Sequence, residues 1–488
     1  MKESGSSITS NLLWRFAERT CAQTVSFIVS IVLARLLMPE DYAKIAIVTV
    51  FISIVNVFVD SGLGNALIQK KNADDIDFST VFYFNLCFCI LLYLALFLLA
   101  PYIGAFYNDE SLISVTRVLG TTVVVSGIKN IQQAYISRRM EFKKFFFATI
   151  GGTLISALLG IYMAYKGYGV WALVAQYLTN NIIDTIILWI NVKWKPVLRF
   201  SFARLKGLWN YGWKLLGVSL MDQLYADCRQ LIIGKRYSAE DLAYYNRGNQ
   251  LPDLIVTNVN TSIQNVLFSA MAKNQDNKDA LKILARKSMQ SCVYVLFPLI
   301  IGLMIVADPA IRVVLTDKWL PCIPHLRILS IAYLVRPLIT TNKQVIKAIG
   351  RSDVLLKINI AEKCISFVIL FATMWSGPIV LSIGFVVSNI IWLLVDSNVT
   401  SKYIFYGFLM QLKDISKELI CSVLMTVAII AVGFGIPKDA SSLLELIIKI
   451  FVGGAAYLFA SYIIRPSGYI YCMEKLRLLM KKHNSFGG

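Results

Sequence analysis

Apolar runs of twenty or more residues recur along all 488 positions, broken by short charged stretches or by proline and glycine. About 20 apolar residues suffice for one bilayer crossing. The runs predict helices over 8–36, 42–66, 79–104, 112–134, 145–165 and 168–191. A basic stretch from Lys193 to Lys206 precedes a second series over 209–233, 242–268, 288–308, 325–347, 354–374 and 377–397. A last pair covers 415–435 and 442–464, ahead of a basic tail. The pattern predicts an all-α polytopic membrane protein of about 14 transmembrane helices.

The eighth run is too polar for a hydropathy window, because it holds Asn246, Arg247, Asn249, Gln250, Asp253, Asn258, Asn260, Gln264 and Asn265. Two arguments make it cross. With the N-terminus inside, about 29 lysines and arginines fall in cytoplasmic connections and tail against about six outside, as the positive-inside rule requires. Removing the eighth crossing would invert every later loop. The second argument is a repeat. Arg35-Leu-Leu-Met-Pro-Glu-Asp-Tyr-Ala43 returns as Lys235-Arg-Tyr-Ser-Ala-Glu-Asp-Leu-Ala243, and Ser137-Arg-Arg-Met-Glu-Phe-Lys-Lys144 is echoed by Gly350-Arg-Ser-Asp-Val-Leu-Leu-Lys357. In register with the span count, these predict two six-helix lobes in parallel pseudo-repeat plus a C-terminal helix pair. The domains so read are 1–200, 201–408 and 409–488, with both termini cytoplasmic.

Composition agrees. Hydrophobic residues make up 57% and charged residues 16%, against about 45–50% and about 25% in soluble domains. A formal charge of +19 would suggest nucleic acid in a soluble protein; here it is loop bias, and no nucleic-acid partner is expected. Nine cysteines without a CxxC pair and two histidines give neither a metal site nor a disulfide framework, and no cofactor is implied. The absence of P-loop, GxSxG and metal-ligand patterns, with short outer connections, argues against an enzyme.

Ionisable groups at membrane depth are costly and should face a partner or a cavity. Arg15, Arg19 and Gln23 lie on one stripe of the first helix, where the arginines either snorkel to headgroups or line a cleft. The seventh helix carries Asp222, Asp227 and Arg229, with an Asp222–Arg229 ion pair as the structural alternative. On the eighth, Asn246, Gln250, Asp253 and Asn260 are spaced as interhelical glue or as the wall of a wet cleft. Lys129, Arg336 and Glu362 complete the set. Arg15, Arg19, Lys129, Arg229 and Arg336 are the candidate cations for a pyrophosphate, which guanidinium binds in a bidentate manner. Asp222, Asp227 and Glu362 are the candidates for coupling to H⁺ or Na⁺.

Leu36-Leu-Met-Pro-Glu-Asp-Tyr-Ala43, Asp60-Ser-Gly-Leu-Gly-Asn-Ala-Leu-Ile-Gln69 and Ala239-Glu-Asp-Leu-Ala-Tyr-Tyr-Asn-Arg247 resemble the Wzx-type polysaccharide flippases of the MOP superfamily, in the colanic and teichuronic acid branch. The resemblance implies two six-helix bundles with alternating access in the bacterial cytoplasmic membrane. The implied cargo is an undecaprenyl-pyrophosphate-linked oligosaccharide moved to the outer leaflet, with membrane lipids, a polymerase and glycosyltransferases as partners. It also implies that Arg19 and Arg229 stand nearest to the cavity cations, and that the last helix pair forms a lipid groove. Two rivals are a cation-coupled multidrug exporter of the same superfamily, whose cleft should be acidic and aromatic, and a non-transporting polysaccharide assembly or polymerase component.

Overall fold

The computed structural model describes every residue except 1–4, 61–62, 71–72, 140, 438–439 and 475–488. Within helices, the side chains of 5–20, 60, 65, 69, 142, 208–215, 218, 261–262, 265–266 and 269 also lie outside the description. The described residues form helices and connections without a strand.

The first half comprises α1 (Gly5–Leu36), α2 (Pro39–Asp60), a short α3 (Leu63–Gln69), α4 (Asp75–Tyr107), α5 (Ser111–Arg139), α6 (Phe142–Tyr165) and α7 (Val170–Asn191). It is followed by α8 (Phe202–Arg236), α9 (Ala239–Lys273), α10 (Lys278–Ile305), a short α11 (Ala307–Val314) with a 3₁₀ turn at Asp317–Trp319, α12 (Cys322–Ala348), α13 (Ser352–Thr373) and α14 (Pro378–Ile404). Last come a short α15 (Phe408–Asp414), α16 (Ser416–Gly435) and α17 (Ser442–Ile464). Among the described residues, ten helices are long and apolar enough to cross a membrane by length and composition. The longest ones outside that group, α8 and α9, have 35 residues each, enough at about 1.5 Å per residue to span the hydrocarbon core. The chain is a multi-pass helical membrane protein.

Local chemistry sets the helix boundaries. Asp74 caps α4 by accepting from the Asp77 backbone N–H (2.9 Å), and the Asp77 side chain accepts from the Asp74 N–H (3.2 Å), a closed capping box. Asn277 caps α10 with one bond, its Oδ1 accepting from the Ala280 N–H (3.0 Å). Gly377, at φ +110°, turns the chain into Pro378 at the first position of α14.

The repeat is written in hydrogen bonds. The Met38 N–H donates to Asp41 Oδ2 at 3.1 Å, and 200 residues on the Ser238 N–H donates to Asp241 Oδ2 at 3.1 Å. At the end of α5 the Glu141 N–H reaches Ile136 O at 3.2 Å; at the end of α12, 210 residues on, the Arg351 N–H reaches Ile346 O at 3.2 Å. Both are the six-to-one bond of a Schellman-type helix end. The register therefore lengthens by ten between the two landmarks, where α11 and the 3₁₀ turn are inserted between α10 and α12.

The chain divides into two compact units, Met1–Ala243 and Tyr244–Gly488. In the first, α6 packs on α1 and α7, and α8 lies along α2, α3 and α4. An apolar cluster there joins Leu63, Leu67, Phe78, Phe82, Ile131 and Trp194, with the Phe78 and Tyr135 rings edge to face at 5.5 Å. In the second, α12 is flanked by α10 and α14, and α16 and α17 dock on α10. The Tyr457 hydroxyl on α17 donates to Tyr294 O on α10 (2.7 Å). The outward faces of this last pair, including Val427, Ile430, Ile450 and Phe451, remain exposed and apolar, as lipid-facing helices require.

Candidate functional site

In the first unit three polar constellations sit on long helices. The Lys129 ammonium on α5 pairs with Asp184 Oδ2 on α7 (3.1 Å) and approaches Asn181 Oδ1 at 3.4 Å. Arg229 on α8 is buried; its guanidinium donates to the Tyr225 hydroxyl (2.9 Å) and lies 5.3 Å from that ring. Asp227, also buried, accepts from the Ser53 hydroxyl of α2 (2.5 Å) and from Gln223 Nε2 (2.7 Å). That bond ties α8 to α2. Asp222 is exposed on α8 and Gln23 is half-buried on α1. Arg15 and Arg19 belong to α1, but their side chains lie outside the described residues.

The resemblance motif at Asp60–Gln69 is held from α5. Asn130 Nδ2 donates to Val59 O (3.2 Å), and Arg138 Nη1 donates to Leu67 O (2.7 Å) and Lys70 O (2.6 Å), capping the end of α3. Below it, Lys70 pairs with the buried Asp77 (2.6 Å), and Arg204 of α8 reaches Asp77 (3.2 Å) and Asp74. The Arg204 hydrogen bond, helped by the Asp77 N–H, holds the Asp74 carboxyl down to about 2.

In the second unit, α9 and α12 run side by side in the same direction, joined by polar contacts. The Tyr333 hydroxyl donates to Asn249 Oδ1 (3.0 Å), Arg336 Nη1 to Asp253 Oδ1 (3.0 Å), Asn260 Nδ2 to Thr340 Oγ1 (3.0 Å) and Gln264 Nε2 to Thr341 Oγ1 (2.8 Å). Gly248 lets the helices meet: a Cβ there would stand 2.8 Å from His325 Cβ and from the Leu326 nitrogen. Asp253 and Asn260, read as a polar helix face, and Arg336, read as a candidate cation, thus meet in one seam. Gln250 is exposed and accepts from Arg247 (2.7 Å), and Asn246 is half-buried. Arg336 lies near the midpoint of α12, and the side chains of Arg336 and Asp253 remain 41% and 46% exposed. A charged pair in the middle of a membrane-length helix is costly against hydrocarbon, so this partly exposed face suits the bundle interior or a cavity.

Glu362 on α13 is engaged by Lys343 of α12 (2.5 Å) rather than standing alone, and Asp396 of α14 completes the group. The sequence reading did not single out Asp184, Lys343 or Asp396. Asp396 falls at the end of the span expected over 377–397, and Lys343 near the end of that expected over 325–347. The available signal was a lone carboxylate following the apolar run Ile390-Ile-Trp-Leu-Leu-Val395.

A repeated bundle of long helices, with ion pairs and a partly exposed polar seam on helices of membrane-spanning length, has the architecture of a polytopic membrane transporter. The profile of the family described as polysaccharide biosynthesis protein matches residues 32–324, more than half of the chain, and the chain belongs to that family. It is similar to the teichuronic acid biosynthesis protein TuaB of Bacillus subtilis (strain 168), 27% identical over 84% of this chain and 85% of that one. It is also similar to the lipopolysaccharide biosynthesis protein WzxC of Escherichia coli (strain K12), 26% identical over 74% of each. Among solved structures, the lipid II flippase MurJ in an inward closed conformation shares the fold, with a TM-score of 0.77 at 13% identity over 93% of this chain and 98% of that one.

Proposed function

We propose that this chain is a flippase carrying undecaprenyl-pyrophosphate-linked oligosaccharide repeat units from the inner to the outer leaflet of the bacterial cytoplasmic membrane by alternating access. The product would feed capsule, O-antigen or exopolysaccharide synthesis. The observation that carries this reading is the half-exposed Arg336–Asp253 pair at the midpoint of α12. Exposed charge at that depth serves a polar ligand's path, because against lipid it would cost about 2.5–3.5 kcal/mol per group or more. An arginine there suits a diphosphate, which it grips with two parallel N–H donors once Asp253 yields. Membership in a polysaccharide biosynthesis family and likeness to proteins named for teichuronic acid and lipopolysaccharide synthesis support a sugar-bearing cargo. The neighbour named as a lipid II flippase supports a lipid-linked one.

On this reading Arg229, Lys129, Arg15 and Arg19 supply further positive potential. Lobes 1–200 and 201–408 form the moving halves, and 409–488 forms an appended pair beside lipid. Both termini are cytoplasmic, and a polymerase and glycosyltransferases act on either side of the transport step. The test is genetic. In a strain lacking other flippases of this kind, deletion should abolish surface polymer and accumulate the lipid-linked repeat unit. Wild-type protein should restore it, and Arg336→Ala should not, at equal protein level. Normal surface polymer in the deletion strain would refute the reading.

A further inference from the structure

The strongest unassigned feature of the second unit is a buried cluster on α12, α13 and α14. Lys343 Nζ lies 2.5 Å from Glu362 Oε2 and 4.0 Å from Asp396 Oδ2, and it also donates to Asn359 Oδ1 (3.2 Å). Asp396 is 0% exposed and Glu362 2%. Neither Asp396 oxygen accepts a hydrogen bond from a nitrogen or hydroxyl among the described residues, nor does Glu362 Oε1. The Glu362 carboxyl stands beside Asp396. Trp392 seals the group: its indole N–H donates to Ser366 Oγ (2.9 Å) and Glu362 O (3.3 Å), and its ring lies 5.8 Å from the Lys343 ammonium.

Charge arithmetic makes this arrangement unstable. One ammonium against two carboxylates leaves a net charge of −1 on a group whose acids are almost fully buried, while the Lys343 side chain, 25% exposed, keeps it in touch with water. A buried, unpaired carboxylate is penalised heavily, and two adjacent carboxylates cannot both stay ionised without a compensating cation. No other cation closes the gap at Asp396. Lys363 follows Glu362 on α13, about 100° away around the helix; its charge favours the Glu362 carboxylate less than Lys343 does and is not felt at Asp396. Lys347 of α12 lies over the Phe268 ring at 5.1 Å. On α10 and α15, which also pack against α14, Arg286 and Asp414 are engaged with each other at 2.5 Å. A metal cation would have to sit against the Lys343 ammonium, which already holds the cationic position. A proton suffers no such conflict.

We propose that Glu362 and Asp396, clamped by Lys343, form a proton-binding site that holds one proton. Asp396 takes it from water, and its carboxylic O–H donates to the Glu362 carboxylate, which stays ionised against Lys343. The site is then neutral, and the bare oxygens of Asp396 acquire a partner. In the transporter proposed above, such a site would couple transport to the proton gradient. That role rests on the flippase reading; the bound proton does not.

The test reads the proton itself. Full-length protein in lipid nanodiscs is compared with its variants by infrared spectroscopy at pH 7, in H₂O and D₂O, through the C=O band of a protonated carboxyl. Asp396→Asn and Glu362→Gln should each lose the intensity of one protonated carboxyl, because one remaining carboxylate balances Lys343. Lys343→Met should gain the intensity of one, since both acids must then be neutral. The two amide variants are independent, so misfolding of one leaves the other to decide. An unchanged band in a folded amide variant, or no gain in Lys343→Met, overturns the proposal whatever the outcome of the transport assay.

Discussion

Lys129 on α5 and Lys343 on α12 belong to equivalent helices of the two halves. Each faces a carboxylate on the sixth long helix of its half, Asp184 on α7 and Asp396 on α14. In the first unit the account closes at one ammonium and one carboxylate, 3.1 Å apart. In the second, Glu362 comes between, the Lys343–Asp396 distance opens to 4.0 Å, and the charge no longer balances. The helix plan is the same in both. One added carboxylate on α13 turns a static tie into a group that must exchange something small with its surroundings.

That contrast breaks most visibly at the lysines. Lys343→Met strands two buried carboxyls and should cost about 3 kcal/mol or more, whereas Lys129→Met leaves a single, slightly accessible Asp184 and should cost less. Unfolding midpoints of the two variants in one detergent rank them, and equal losses would erase the distinction. Asparagine at the carboxylates sharpens the contrast. Asp184→Asn strands the Lys129 ammonium, at about 2 kcal/mol, while Asp396→Asn keeps the Lys343–Glu362 pair and should stay within about 0.5 kcal/mol of wild type. A larger loss for Asp396→Asn would mean that its carboxylate is ionised and stabilising.

A third comparison concerns the seams. Gly248 of α9 corresponds, 200 residues on, to the buried Val48 of α2. Gly248→Ala would press a methyl group into α12 and should cost about 1–2 kcal/mol, read as a lower thermal midpoint. The smallest effect is at the exposed base of the first unit. Because Arg204 holds Asp74 at about 2 against an ordinary 3.8, the unfolded chain protonates first. This contribution is therefore complete above about pH 3.8 and disappears as pH falls toward about 2. Arg204→Gln should move acid unfolding to slightly higher pH, an effect that added salt diminishes.

Which parts of this were legible depends on what each signal measures. Apolar runs mark lipid exposure, so α2, α4, α16 and α17 could be read directly. Helix α9 faces a polar seam and was legible only through the charge bias and the repeat. The second span, expected over 42–66, is helical on both sides of residues 61–62, which lie outside the described residues. The short α11 and α15 are too brief for a crossing, and no run announced them. The boundary expected at residue 200 also differs from the division at Ala243, because α8 packs along α2, α3 and α4.

The site residues failed for a related reason. Charges serve as boundary markers in a hydropathy reading, so Asp396 falls at the end of the span expected over 377–397 and Lys343 near the end of that expected over 325–347. Helix α14 runs on to Ile404 and buries Asp396. Burial of a charge within a helix is a tertiary fact: it needs the neighbours, here α12 and α13, that the one-dimensional pattern does not contain. Asp253 and Asn260 were singled out because they repeat at helical spacing along one face, and Arg336 because it is a charge inside an apolar run.

The central claim is transport of a lipid-linked oligosaccharide diphosphate. The most direct test is purified protein in liposomes carrying a fluorescent undecaprenyl-diphosphate oligosaccharide in both leaflets, with a sugar-modifying reagent added outside. Reagent access to more than the outer half of the lipid, dependent on the protein and lost in Arg336→Ala, is the predicted result. Modification that stops at the outer leaflet with folded wild-type protein present, with or without a pH gradient, would contradict it.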